Sequence, residues 1–447
     1  MKKFSILLLF LAAVLLNACA TSAVPTITVE TLPPTPTFVQ TTEPAPTGAT
    51  VFDAARAYEY NRALAVDIGK RVAGTPGGQA AANYIANEFE KSGLDVTRQT
   101  FSFEGWEDRG TSVNLVSPET ITLDAQPIQY SVGGKVDGDV VLVPGLGSRD
   151  DFSKVNVRGK IALVKRGTLP FSVKAQNAAE VGATAILIYN EAPTGFTGTL
   201  RDQVSIPTIA VSGASAGEIL QALKNGTVRA EIASDAGTVQ RTGTNVIGTL
   251  KGKSDETIVL GGHFDSVSAG PGADDNGSGT ATLLELARVE GSKPQPQHTL
   301  IFIAFDAEEL GLVGSEAYVK QLSDAELSKM RAMLNFDMMG AGEGPLLLLG
   351  DGKVALLARS SAQQLKVEAH NAQMPANAGS DHESFARRGV DTVFFLRDYN
   401  LLHTPEDTID QVKQEYLGEA GRVAERLLER LDATPLQGSK SQVMPTE

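Results

Sequence analysis

Four apolar runs constrain the fold of this chain more than any other feature: IVLGG (258–262), TLIFIAF (299–305), AMLNF (332–336) and DTVFFLRD (391–398). Helically spaced stretches lie between and after them: TATLLELARVE (280–290), a segment from about Ser315, VALLARSSAQQLKVEA (354–369), and a final one over roughly 413–431. Strands that are apolar at every position, rather than at every second one, are buried on both faces. Alternation of such strands with helices predicts an α/β domain with a mostly parallel central sheet and helices on both faces.

Upstream, 52–70 and 79–96 read as amphipathic helices with RVAGTPGG (71–78) as a turn between them, and TRQTFSF and TSVNLV as separate strands. Residues 118–238 have a different texture, with short β-rich runs (DVVLVPG, KIALVKRG, AILIYN, IPTIAVS) around an Ala-rich helix at 173–182. A β-rich module inserted into the larger domain, itself split over 51–117 and 239–435, accounts for both textures. The amino terminus is a targeting segment: Lys2 and Lys3 precede FSILLLFLAAVLL (4–16), which is too short to span a bilayer comfortably. Residues 1–19 resemble a bacterial lipoprotein signal with Cys19 as the lipidated residue, although Ala18-Cys19-Ala20 can also be read as a plain cleavage site. Both readings imply export, and the lipoprotein reading implies a membrane anchor on the extracytoplasmic face. The Pro/Thr-rich stretch 20–50 reads as a tether, and 436–447 as a disordered tail. Cys19 is the only cysteine, so the folded part has no disulfide. The formal net charge is -14 with no basic stripe, which argues against a nucleic-acid partner.

The strand ends carry the chemistry. The first run delivers His263 and Asp265, with Asp274 and Asp275 opening the next helix, and the second delivers Asp306, Glu308 and Glu309. The third delivers Asp337, and the fourth is followed by His403 in LLHTPEDT. In open parallel sheets, functional groups gather beyond the carboxyl ends of the strands. Carboxylates collected there repel one another unless a cation neutralises them. The presence of imidazole argues for zinc or another transition metal over calcium.

The stretches HFDS with GADDNGSG, FDAEELGLVGS, LNFDMMG and LLHTPEDT, in this order and spacing, resemble the co-catalytic di-zinc aminopeptidases. That group also contains glutaminyl cyclases, carboxypeptidases and transferrin-receptor-like ectodomains. The segment VRGKIALVKRGTLPFSVKAQNAAEVGATAILIYN resembles a protease-associated (PA) domain, which makes the insert a PA domain on a zinc-exopeptidase-like fold. The resemblance implies two zinc ions held by His263, Asp275, Glu309, Asp337 and His403, with Asp275 bridging. It further implies Glu308 as general base, Asp265 orienting His263, and a cis peptide with strain after Asp275. The activity implied is hydrolysis of N-terminal residues from peptides by a zinc-bridging hydroxide. Many relatives carry Tyr directly before the last His; Leu402 stands here, leaving Tyr399 or Arg397 as the polar groups that could assist the oxyanion.

Plainer readings exist for each motif taken alone. Glu308-Glu309 would be a solvated helix start, GADDNGSG a turn and helix cap, His263 a core histidine and Asp337 a strand-end cap. Ser380-Asp381-His382-Glu383 fits a capping box, His298 reads as structural, and His370 as a surface residue late in a helix. Gly213-Ala214-Ser215-Ala216-Gly217 matches the nucleophile elbow of a serine hydrolase, a rival from another class. Glutaminyl cyclase or carboxypeptidase activity, or a non-catalytic surface receptor, are further alternatives on the same fold.

Overall fold

The structure, a computed structural model, describes residues 28–29, 51–200, 204–374 and 378–433. The signal at 1–19 with Cys19 and the tail from 436 lie outside the described residues, as does the tether at 20–50 apart from Thr28 and Val29. Among the described residues no helix is long and apolar enough to cross a membrane.

The larger unit comprises the segments up to Trp106 and from Thr238 onward. At its centre the strands Thr392–Asp398, Met330–Phe336, Thr257–His263 and Thr299–Phe305 lie side by side and parallel. Glu343–Leu349 adds antiparallel beyond the first of these, and the end of Arg229–Leu250 adds antiparallel beyond the last. The sheet is thus mostly parallel, with antiparallel edges. The run at Glu343–Leu349 escaped the sequence reading, because GPLLLL is too short to separate strand from helix by periodicity.

One face of the sheet carries the main core. Helices Ala54–Arg62, Pro76–Lys91, Gly279–Gly291, Lys353–Gln364 and Gln414–Ala433 pack there around Leu260, Phe302, Leu334 and Phe395. The opposite face is covered by Val313–Gln321 and His382–Ala386, with Phe305, Tyr318 and Phe385 in edge contact. Pro76–Lys91 begins earlier than its apolar spacing suggests. Thr75 accepts from the Gly78 N–H, and Pro76 takes the first turn, so the GTPGG stretch opens the helix rather than preceding it. The helix at 353–364 ends at Gln364, and His370 lies in the short strand Ala369–His370 beside Glu368, not in a helix.

The smaller unit, Glu107–Gly237, begins earlier than the boundary at 118 read from sequence. Gly134–Leu142, Ile161–Lys165, Ala185–Tyr189 and Thr208–Val211 form a parallel row, flanked by helices Phe171–Glu180 and Gly213–Asn225. Asp95–Ser117 is one long strand instead of two. The polar stretch EGWEDRG between the two runs belongs to the strand as well: Arg109 pairs with Asp235 at 2.8 Å and Thr111 with Ser234 at 2.8 Å, and these cross-strand pairs continue the ladder. Ser215 sits inside a helix, and its buried hydroxyl accepts from the Asp124 N–H at 2.9 Å. All five histidines lie outside this unit. A nucleophile at Ser215 therefore has no imidazole within its own unit.

Helix Gln414–Ala433 buries Leu417, Ala420, Val423, Ala424, Leu427, Leu428 and Leu431 along one stripe. Gly421 lies on that stripe, where a β-carbon would come within 2.2 Å of the Phe52 ring. Gly421→Ala should therefore destabilise by roughly 1–2 kcal/mol in urea unfolding, because overpacking outweighs the helix propensity gained. A stabilised variant would show that the Phe52 ring yields freely.

Candidate metal centre

The carboxyl ends of the parallel strands converge on one cluster. His263 closes Thr257–His263, Asp337 follows Met330–Phe336, and Glu308 and Glu309 follow Thr299–Phe305 by a short turn. His263 Nε2 lies 3.4 Å from Asp275 Oδ1, 3.4 Å from Asp337 Oδ1 and 3.9 Å from Glu308 Oε2. His403 Nε2 lies 3.2 Å from Asp275 Oδ2 and 2.9 Å from Glu309 Oε2. Two three-residue groups result, His263–Asp275–Asp337 and Asp275–Glu309–His403, and Asp275 belongs to both.

These separations suit metal binding. Donors about 2.1 Å from a tetrahedral ion lie about 3.4 Å from one another. Glu309 Oε1 and Asp337 Oδ1 are buried without any hydrogen-bond partner, a costly state for an acceptor that no cation meets. Metal-free, the cluster would gather protons instead. Hydrogen bonds to Asp275 and Glu309 push His403 up to about 11. Burial alone would lower His263, but Asp337 and Glu308 raise it well above its ordinary value. Burial likewise pushes Glu309 up to about 7 and holds Glu308 well above the usual carboxylate range. Burial would raise Asp275 too, yet the two imidazoles hold it well below. A divalent cation can replace the protons that these imidazoles otherwise hold.

The surrounding backbone is shaped for this cluster. Ala307, Met338 and His403, each beside or within it, adopt left-handed φ values of 62°, 52° and 59°. Such positions cost on the order of 1 kcal/mol or more for a residue with a β-carbon, and they concentrate at functional sites. The Asp275–Asn276 peptide is cis. Asn276 donates to the Phe336 carbonyl at 2.9 Å, and Asp274 Oδ1 accepts from the Gly340 N–H at 2.7 Å, so both neighbours of Asp275 are anchored to the chain around Asp337. Asp265 receives the N–H groups of Glu308 (3.1 Å) and Glu309 (3.3 Å) on its two oxygens. His263 Nδ1 lies 3.2 Å from the Asp265 main-chain oxygen and 3.4 Å from its Oδ1. Arg71 is fully buried behind the loop at 264–272, where it donates to the carbonyls of Phe264, Pro271 and Gly272 at 2.6–2.8 Å.

Other candidates fall elsewhere. Asp306 is buried and accepts from the Thr244 N–H, outside both groups. Arg397 bonds Glu419 and the Gly344 carbonyl and stacks on Tyr416, and Tyr399 donates to Asp407 at 3.1 Å; neither belongs to either three-residue group. The capping box at Ser380 does not form. Ser380 Oγ accepts from Asn335 at 2.8 Å, Glu383 pairs with Arg387, and the short helix starts at His382 without a side-chain cap. His298 is buried against Ser254 at 2.9 Å.

Residues 245–428 match peptidase family M28, and residues 136–219 match the PA domain. The aminopeptidase YwaD of Bacillus subtilis is 34% identical over 393 residues, covering 83% of this chain and 83% of its own length. The chain belongs to peptidase family M28. A probable lipoprotein aminopeptidase, LpqL of Mycobacterium tuberculosis, is 33% identical over 350 residues, covering 72% of this chain and 68% of that protein. The structure of a zinc aminopeptidase from Bacillus subtilis superposes with a TM-score of 0.74 at 31% identity, covering 86% of this chain and 96% of that one. The likeness thus extends beyond the motifs to most of the chain, and the PA match lies within the smaller unit. The M28 match spans every residue of the cluster, from His263 to His403.

In this M28 peptidase the supporting residues Arg71, Asn276 and Asp407 escaped the sequence reading, which named Asp274 among the strand-end acids but not its bond to Gly340. The available signal was adjacency: Asp274 and Asn276 flank Asp275, and Asp407 closes the motif that carries His403.

His382 stacks on Phe394 with ring centroids 4.7 Å apart, and its buried Nδ1 has no partner. Burial pushes it down to about 4. The unfolded chain therefore binds this proton first, so the stability His382 allows is complete above pH ~6.5 and falls as the pH drops toward 4. Between those values the loss should approach roughly 3 kcal/mol at most. Urea midpoints compared at pH 7 and pH 4.5 should fall less in His382→Phe than in the parent; equal slopes would refute the assignment.

Proposed function

We propose that this M28 peptidase is a zinc-dependent aminopeptidase that removes residues from the free amino terminus of peptides. The observation that carries the reading is Asp275, whose two oxygens face two imidazoles from separate elements, each with one further carboxylate beside it. His263, Asp275 and Asp337 would hold one ion, and Asp275, Glu309 and His403 a second. Zinc so held supplies Lewis acidity, which brings water ionisation near neutral pH and stabilises negative charge on a carbonyl oxygen.

The chain's own residues do the rest. Glu308 is the general base: its Oε2 reaches to 3.9 Å from His263 Nε2, and its raised affinity for a proton suits it to take one from water and return it to the leaving amine. Asp265 sets the positions of both Glu308 and Glu309 through their N–H groups, and it lies beside the His263 ring nitrogen that faces away from the cluster. A carboxylate-rich edge also favours the ammonium group of a free amino terminus. Export with a lipid anchor at Cys19 completes the proposal, supported by the lipoprotein relative named above.

Amino-acid p-nitroanilides and short peptides test this reading. Chelation should abolish hydrolysis, and zinc should restore it. Glu308→Gln should keep its zinc by elemental analysis while kcat falls by about 10²–10⁴. Parent-like turnover in that variant would remove Glu308 from the role, and a chelator-insensitive parent would remove the metal.

A further inference from the structure

The His403 loop is held from outside itself. His403 has φ 59°, an unfavourable region for a residue with a β-carbon, and its side chain is 53% exposed, so neither backbone preference nor packing fixes the ring. Four residues on, Asp407 is buried and spreads its carboxylate across the main chain of the other loop. Oδ1 accepts from the Asp274 N–H at 2.8 Å, and Oδ2 accepts from the Asp275 N–H at 3.0 Å. The Asp407 main-chain oxygen accepts from the Ala273 N–H at 3.2 Å, and the Tyr399 hydroxyl donates to Oδ1 at 3.1 Å. Gly270 lies so close that a β-carbon there would sit 2.1 Å from the Thr404 carbonyl oxygen.

We propose that Asp407 is a positioning residue that ties the His403 loop to the peptide of Asp275 and thereby makes the Asp275–Glu309–His403 group competent to hold its ion. The proposal rests on the two-metal reading above. Asp275 has further tethers through Asn276 to Phe336 and through Asp274 to Gly340, which serve the Asp337 side of the centre. His403 reaches this framework through Asp407. Loss of the carboxylate leaves only the Ala273 N–H bond from this residue to the 273–275 main chain and so loosens the strained loop and the placement of the His403 ring, while the His263–Asp275–Asp337 group keeps its supports through Asn276 and Asp274.

Metal binding, not activity, is the test. Metal-free parent, Asp407→Asn and Tyr399→Phe are titrated with Zn²⁺ by calorimetry and with Co²⁺ by its visible absorption. The parent should take two equivalents. Asp407→Asn should take the first with unchanged affinity and the second about 10- to 100-fold more weakly, the usual cost of losing a group that orients a metal ligand. Tyr399→Phe, which removes a single bond to Asp407, should weaken the second ion in the same direction but less. It carries the test if Asp407→Asn fails to melt cooperatively without metal. Two parent-like affinities in the variant that folds, or equal weakening of both ions, would overturn the role of Asp407. A parent that takes fewer than two equivalents would instead overturn the two-metal reading, and this proposal with it.

Discussion

The centre depends on one carboxylate having two faces. Asp275 presents Oδ1 to His263 and Oδ2 to His403, and the two groups of side chains exist as a pair only because this residue joins them. A single carboxylate can do so only if its backbone is immobile. Much of the surrounding polar network serves that end: Asp274 and Asn276 bind the chain around Asp337, and Asp407 binds the N–H of Asp275 itself. Buried polar groups are tolerable when every one is met, and here main-chain donors and acceptors meet most of them. Glu309 Oε1 and Asp337 Oδ1 are among the buried atoms left without a partner, and both belong to side chains of the two three-residue groups, where a cation would satisfy them.

The fold supplies the convergence. Parallel strands with fully buried sides end at a common edge, so residues far apart in sequence arrive together without long loops. Gly279 shows how tight the arrangement is: a β-carbon there would meet the Phe336 carbonyl at 2.2 Å, so the helix after Asp275 approaches the strand before Asp337 as closely as backbone allows.

Much of this was legible in the residues. Continuous apolar strands reveal a parallel sheet because burial on both faces leaves no alternation, and acids and histidines at their ends are conspicuous against a hydrophobic background. The supporting network was harder to read. Arg71 bonds carbonyl oxygens of a loop almost two hundred residues away, and no spacing along the chain encodes that. Ser380 and Glu383 fit a local capping pattern, but each side chain found another partner, Asn335 for one and Arg387 for the other, and tertiary contacts won. The strand at Asp95–Ser117 was divided by its polar middle because cross-strand ion pairs such as Arg109–Asp235 are invisible without the partner strand.

Arg71 also determines which oxygens stay available. A guanidinium this deep normally seeks an acid, yet its bonds go to carbonyls, and the carboxylates of Asp265 and Asp275 act on it only through space. It therefore lends positive potential to a crowded anionic edge without competing as an internal counter-ion for the carboxylate atoms that would hold a cation. A lysine ammonium has three donors on a flexible stem and could not span the same fan of acceptors, so charge alone does not define this position.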